Sequence, residues 1–277
     1  MEGRLDPLLK WPGGKRALLA RLLAHVPLEF GRYYEPFFGG GALFFALRPR
    51  RALLSDLNED LIHCYATVRD NPEAVIRQLR LWSNSSAAYY SIRASQPRAN
   101  AHRAAKLIYL STLAFNGIYR VNRRGEFNVP YGHKTHLDVA QAGRIRAISR
   151  ALTGAQLRHS DFEQVVKGAR AGDFVYLDPP YTVAHGTNGF RKYNAQIFSW
   201  ADQTRLATVA HDLARRGCHV IISNANHPSV RKLYTGFDRL TVPRVSRVAA
   251  SSDARRLVQE LVITNITRRV SERPASQ

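Results

Sequence analysis

Asp178-Pro179-Pro180-Tyr181 is the tetrapeptide of this chain best suited to chemistry, because it follows directly on the apolar run Phe174-Val175-Tyr176-Leu177. A short apolar run of this kind reads as a buried strand. The Asp178 carboxylate would then stand at the strand's C-terminal end, on the rim of a sheet. Pro180 fixes its own φ and has no N–H, and it forces Pro179 into an extended conformation. The Pro179 carbonyl is thereby presented beside the Asp178 carboxylate. Two adjacent acceptors, with an aromatic ring close behind, suit a planar amine that donates both its hydrogens. The exocyclic amine of a flipped-out adenine is such a group, with Tyr181 stacked on its ring. The same four residues would equally serve as a strand-ending turn with a solvated aspartate.

A second constellation is Glu35-Pro36-Phe37-Phe38-Gly39-Gly40-Gly41. Glycines directly after a strand let a ligand approach the backbone. The spacing is not the dinucleotide fingerprint, since Phe44 stands where its last glycine would be. Asp56, 17 residues beyond Gly39, closes the next strand and can take both hydroxyls of a ribose. A plain tight turn remains the alternative. Lys10-Trp11-Pro12-Gly13-Gly14-Lys15 resembles a phosphate loop only superficially, because Leu9 replaces its first glycine and Arg16 its hydroxyl residue. Trp11 and Lys15 could flank a cofactor or a DNA phosphate, or lie in a solvated loop.

The third is the segment Phe115–Gly132, where Arg120, Arg123 and Arg124 are interleaved with Tyr119, Phe127 and Tyr131, and with Asn116, Asn122 and Asn128. Arginine reads guanine and asparagine reads adenine at major-groove edges by paired hydrogen bonds. Phe115 could fill the gap left by a flipped base. A basic hairpin packed by its own aromatics is the plainer possibility.

These residues need a scaffold, and the hydrophobic pattern supplies one. Strands are expected over Arg32–Glu35 and Ala52–Asp56, around a helix over Ala42–Leu47, with a further helix over Asn58–Arg69 that Asn71-Pro72 ends. Helices then follow one another over Pro72–Leu81, Ala87–Ala94 and Ala101–Leu113, before a hairpin turning at Arg124-Gly125 and a helix over Asp138–Leu152. Alternation resumes with strands at Gln156–His159, Phe174–Asp178 and His219–Ser223, a helix over Asp202–Arg216, and an antiparallel pair Arg239–Val245 and Leu257–Thr264. The fold class expected is α/β, a doubly wound sheet whose ligands sit at the strands' C-terminal ends. Residues 1–60 and 153–270 would form it, residues 61–152 a mostly helical insertion containing the hairpin 115–132, and 271–277 a disordered tail. Loop Thr182–Asn194, rich in glycine and polar residues, is expected to be mobile until a ligand binds.

The chain has 277 residues, with 41 Lys and Arg against 21 Asp and Glu, a net charge of +20. Residues 61–150 hold 14 basic and 4 acidic residues, hence +10 of that total. Such an excess is relieved by a polyanion, nucleic acid being the commonest, although the preference for arginine over lysine could also reflect codon usage. Two cysteines far apart, Cys64 and Cys218, make neither a disulfide framework nor a zinc site, so no metal is expected. No apolar run approaches the ~20 residues of a membrane span. The opening MEGRLDPLLK lacks the apolar core of a signal peptide, so a cytoplasmic location and no membrane partner are expected.

Taken together, KWPGGK, EPFFGGGALF, LSDLNEDL, FNGIYRVNRRGEFNVPYG and YLDPPY, in that order over about residues 8–265, resemble the Dam-type family of adenine-N6 DNA methyltransferases. The order, with the insertion between the glycine motif and Asp-Pro-Pro-Tyr, is similar to that of the α subgroup of amino-methyltransferases. The resemblance implies a Rossmann-like methyltransferase sheet, S-adenosylmethionine (SAM) as cofactor, duplex DNA as partner and a monomer. It implies that Trp11 and Lys15 lie at the cofactor and DNA end of the pocket. Glu35, Pro36, Phe37, Gly39 and Gly41 would wrap the methionine of SAM, Asp56 would hold its ribose, and Asp161-Phe162 would meet its adenine. Asp178, Pro179, Pro180 and Tyr181 would be catalytic, Asp178 also facing the cofactor. The insertion would be the target-recognition domain. Arg120 is its best base reader, Phe115 its intercalating aromatic, and Lys10, Asn116, Asn122, Arg123, Arg124, Asn128 and Pro130 complete the DNA-facing set. Ser223–His227 matches the family's segment only in part, and Tyr119 and Val121 differ from the commonest readers of GATC. The target sequence is therefore left open. An RNA adenine or protein amide methyltransferase could use the same site; a cytosine-N4 enzyme usually has Ser at position 178, and a DNA-binding protein without catalysis would have lost Asp56 or Asp178.

Overall fold

The computed structural model describes residues 5–15, 17–122, 124–182, 198–245 and 257–266. Arg123, most of the loop Thr182–Asn194 and the tail 271–277 lie outside the described residues. Seven strands, β1 (Tyr33–Glu35), β2 (Ala52–Asp56), β3 (Ala155–His159), β4 (Phe174–Leu177), β5 (His219–Ala225), β6 (Asp238–Val245) and β7 (Leu257–Thr264), build one sheet in the order β3-β2-β1-β4-β5-β7-β6. The α/β class expected from the pattern is the class observed. By contacts the chain divides into two compact units, Met1–Arg16 with Tyr34–Lys167, and Ala17–Tyr33 with Gly168–Gln277.

In the first unit β2 runs parallel to β3, Ala52 facing Ala155 and Asp56 facing His159. Four of the five β2 residues are buried, the apolar Ala52, Leu53 and Leu54 among them. Gly41, in the left-handed region at φ 67°, starts helix α2 (Ala42–Leu47); a Cβ there would stand 2.4 Å from the Phe38 ring. Helix α3 (Glu59–Asp70) starts where the Asn58 side chain accepts from the Leu61 N–H, with Glu59 and Asp60 favourably placed in its first turn. Asn71 caps α4 (Pro72–Arg80) and Ser85 caps α5 (Ser86–Ala94). Helix α6 (Asn100–Leu113) and α7 (Ala142–Leu152) both pack on α3. Their core includes the fully buried Val75, Tyr89, Tyr109, Ile145 and Ile148, each large aliphatic side chain contributing about 1.5–3 kcal/mol by leaving water. Helix α7 starts four residues later than its pattern indicates, because Asp138 accepts from the Ala140 and Gln141 N–H groups and holds a loop there. Helix α8 (Phe162–Val166) follows, capped by Asp161.

The second unit contains helix α1 (Leu19–Leu23), the parallel pair β4 and β5, and the antiparallel β6–β7 ladder from Asp238↔Thr264 to Val245↔Leu257. Helix α9 (Trp200–Arg215) begins with a reciprocal capping box between Ser199 and Asp202, and α10 (Pro228–Leu233) follows β5. Helices α1, α8 and α10 span only five or six residues each, too short for a 3.6-residue period to show.

Candidate active site

The glycine turn of the first unit is tied down at both ends. The Gly39 N–H donates to Asp56 Oδ2 at 2.9 Å, and the Asn58 N–H to Asp56 Oδ1 at 2.9 Å. Burial raises the Asp56 carboxyl above its ordinary value, and backbone N–H groups of Asn58, Gly39 and Leu57 oppose that rise. A carboxylate offers about four acceptor positions, so these three backbone bonds still leave it capacity for a ribose hydroxyl. The Phe38 N–H donates to the Ser55 carbonyl at 2.8 Å, and the Ser55 hydroxyl to the Pro36 carbonyl at 3.3 Å. Gly39 has φ 47°, and a Cβ there would stand 2.9 Å from the Trp11 indole. Phe37 and Phe162 stack with centroids 5.4 Å apart. Glu35 and Lys15 are both buried, and Lys15 Nζ donates to the Gly13 carbonyl at 2.7 Å. The structure thus gathers Trp11 with Gly39, Gly39 with Asp56, and Phe37 with Phe162, a backbone cradle, a carboxylate and aromatic faces that fit a nucleoside with a short polar tail.

The hairpin forms through bridges at Ala114↔Tyr131 and Val121↔Phe127 rather than through two continuous strands. Asn116 turns into the left-handed region (φ 55°) within a 3-10 turn over Phe115–Gly117. The Phe115 N–H still reaches the Pro130 carbonyl at 2.9 Å, and the Phe115 ring is 55% exposed. Lys10 packs on Gly117, where a Cβ would lie 2.8 Å from its side chain. The polar side chains engage one another. Arg120 Nε donates to Asn128 Oδ1 at 2.8 Å, Asn122 Oδ1 accepts from the Arg124 and Glu126 N–H groups, and Asn122 Nδ2 donates to Glu126 at 2.8 Å. Gly125, at φ 77°, makes the tip.

In the second unit, Asp178 follows β4 as its pattern requires. The Ser223 hydroxyl donates to Asp178 Oδ1 at 2.6 Å, and Tyr176 Oη lies 2.9 Å from the same hydroxyl. Gln203 Nε2 donates to the Pro180 carbonyl at 3.3 Å and to Thr182 Oγ1 at 3.0 Å, and its Oε1 accepts from Asn224 Nδ2 at 3.0 Å. Ser223, Gln203 and Asn224 are fully buried. Among the described residues no donor is bonded to the Pro179 carbonyl. Sequence reasoning missed Tyr176 and Gln203 as supports of the tetrapeptide; the polar Ser223-Asn224 pair closing the apolar run Val220–Ile222 was the available signal for the rest.

A family model for D12 class N6 adenine-specific DNA methyltransferases matches residues 11–248. The chain belongs to that family. It is 37% identical over 271 residues to the type II methyltransferase M1.LlaDCHI of Lactococcus lactis subsp. cremoris, covering 94% of this chain and 95% of that one. It is 33% identical to the type II methyltransferase M.MjaIII of Methanocaldococcus jannaschii, over 94% and 99% of the two chains. With a DNA adenine methylase of Vibrio cholerae it shares 32% identity over 92% of this chain and 94% of the other. No helix of this D12 methyltransferase among the described residues is long and apolar enough to cross a membrane.

Proposed function

We propose that the protein transfers a methyl group from SAM to N6 of an adenine flipped out of duplex DNA. The observation that carries this reading is the Asp178 carboxylate, fixed at the end of β4 by the buried Ser223 hydroxyl beside a Pro179 carbonyl. Adenine N6 is a weak nucleophile because its lone pair is delocalised into the ring. Donation of its two N–H groups to Asp178 and to the Pro179 carbonyl favours a pyramidal nitrogen with its lone pair available, and aims that pair. Tyr181 stacks on the base. SAM supplies a methyl carbon bonded to a sulfonium. With SAM bound, the methyl carbon–sulfur bond would break as the N6–carbon bond forms, its electron pair staying on sulfur, while Asp178 and the Pro179 carbonyl hold the two N6 hydrogens, one of which passes to water.

In the first unit Gly39, Gly41, Pro36, Phe37 and Glu35 take the methionine portion of SAM, Asp56 its ribose, and Asp161-Phe162 its adenine, with Trp11 and Lys15 at the pocket's edge. Residues 61–152 act as the target-recognition domain, and residues 1–60 with 153–270 as the SAM-binding catalytic domain. Arg120, Asn122 and Asn128 read bases by exchanging their resting hydrogen bonds, Arg120 with Asn128 and Asn122 with Glu126, for base edges. The exposed Phe115 ring enters the stack, while Asn116, Lys10, Arg123, Arg124 and Pro130 line the DNA. The protein works as a cytoplasmic monomer, and the type II names of its relatives favour a role in restriction-modification.

Incubation with tritiated SAM and unmethylated genomic DNA, followed by sequencing for modified bases, tests this. N6-methyladenine in one short motif is the expected product. Label in RNA or protein with none in DNA would overturn the substrate.

A further inference from the structure

Tyr119 belongs to neither the cofactor set nor the base-reading set, yet it touches residues leading to both. Its ring stacks on Trp11, with centroids 4.3 Å apart and planes 22° from parallel. Its hydroxyl accepts from Asn58 Nδ2 at 3.2 Å. The orientation of that amide is set independently, because Asn58 Oδ1 caps α3 by accepting from the Leu61 N–H at 2.9 Å. Both partners lead back to one turn. Through its backbone N–H Asn58 holds Asp56, which holds the Gly39 N–H. Trp11 lies against Gly39 closely enough to exclude a Cβ. The contacts form a closed ring, from Gly39 through Asp56, Asn58, Tyr119 and Trp11 to Gly39 again. The Tyr119 ring also packs edge-on with Phe127 of the opposite hairpin arm at 5.8 Å, and Tyr119 immediately precedes Arg120.

We infer that Tyr119 is a positioning residue that couples cofactor binding at the glycine turn to base reading by the hairpin. The inference rests on the assignment of Gly39 and Asp56 to SAM made above. Glycine loses more freedom on ordering than any other residue, so the turn depends on the contacts that hold it. A ribose on Asp56 fixes one branch of the ring, and a ligand along the Gly39 backbone fixes the other, so Tyr119 is held from two sides. With it is held the backbone that presents Arg120 and pairs it with Asn128. A duplex seated on the hairpin orders the same ring from the opposite end. Whichever ligand arrives first has already ordered what the second would otherwise have to order, so each must tighten the other by the same factor.

The affinity of S-adenosylhomocysteine with and without a duplex carrying the methylated motif, and of that duplex with and without S-adenosylhomocysteine, measures the factor by calorimetry. In the wild-type protein both ratios should agree and reach about tenfold or more, within the usual range for coupled sites. In Tyr119→Ala the factor should fall below about twofold. Tyr119→Phe, which keeps the ring and loses the hydroxyl, should lie between the two, and it provides the same comparison if the alanine variant does not fold. A wild-type factor near one, or an unchanged factor in Tyr119→Ala, overturns the inference. Asp56→Ala is the separate control: if it leaves S-adenosylhomocysteine affinity intact, the cofactor assignment fails, and the inference falls with it.

Discussion

The end of β4 and the hairpin 115–132, the two places proposed to meet a base, hold their polar groups in opposite ways. Asp178 is braced by Ser223, itself beside Tyr176, while Gln203 and Asn224 secure the following turn; Ser223, Gln203 and Asn224 have no exposed surface. In the hairpin, Arg120, Asn122, Glu126 and Asn128 bond to one another at or near the surface. The difference matches the two tasks proposed for them. A group that orients a reacting atom must already be in place, which buried and mutually satisfied partners on rigid elements provide. A group that reads a base must leave its resting partner for another, and hydrogen bonds near water, worth about 0.5–1.5 kcal/mol net, allow the exchange.

Breaking the rigid side should have the largest effect. Asp178→Ala is expected to lower kcat/KM by about 1,000-fold or more, and retained turnover in a tritiated-SAM assay would remove Asp178 from the chemistry. Ser223→Ala should lower kcat by about ten- to 100-fold, the worth of a hydrogen bond to a charged group, with KM much less affected and Ser223→Thr recovering most of the loss. Equal losses in kcat for the Ala and Thr variants would mean that Ser223 only fills space. On the exchangeable side, Arg120→Ala should relax discrimination at one base position by about ten-fold, within the 1–3 kcal/mol of a paired base contact. A panel of single-substitution duplexes would show this, and a uniform loss across the panel would make Arg120 a phosphate contact. The smallest effect concerns only the support of α9. Ser199 N–H and hydroxyl groups hold the Asp202 carboxyl below its ordinary value of 3.8. Because the unfolded chain titrates at the higher value, this stabilisation is complete above it and is lost as pH falls through the lower, folded value. Asp202→Asn should therefore lower stability by about 1 kcal/mol at neutral pH, and the gap in Tm from the wild type should narrow as the pH falls below 3.8. A gap that does not change with pH would show that the charge of Asp202 contributes nothing.

Much of this was legible along the chain. The two prolines after an apolar run place a carboxylate at a strand end by local sterics alone, and β4 ends where that reading requires. The glycines at 39 and 41 occupy conformations that a Cβ would obstruct. Helix α3 starts at the Asn58 boundary that its pattern indicates, with the Asn58 side chain capping it, whereas α5 starts one residue before its pattern indicates, where Ser85 caps it. The hairpin was readable as a turn at Arg124-Gly125 but not as a broken ladder, since the left-handed Asn116 is a single residue with no periodic mark. Asn122 illustrates a further limit: its type suits base reading, and only the fold reveals that its amide also closes the turn.

The α/β class, the placing of Asp178 after a strand and the turn of the basic hairpin follow from the chain read locally, because each depends on neighbouring residues or on a short repeat. Tertiary structure alone decided that Ser223 grips Asp178 across 45 residues, that Gln203 bonds the Pro180 carbonyl across 23, and that Tyr119 lies on Trp11. Such pairs impose no period on the chain and meet only once strands and helices have brought distant residues together, so local reading had no means of finding them.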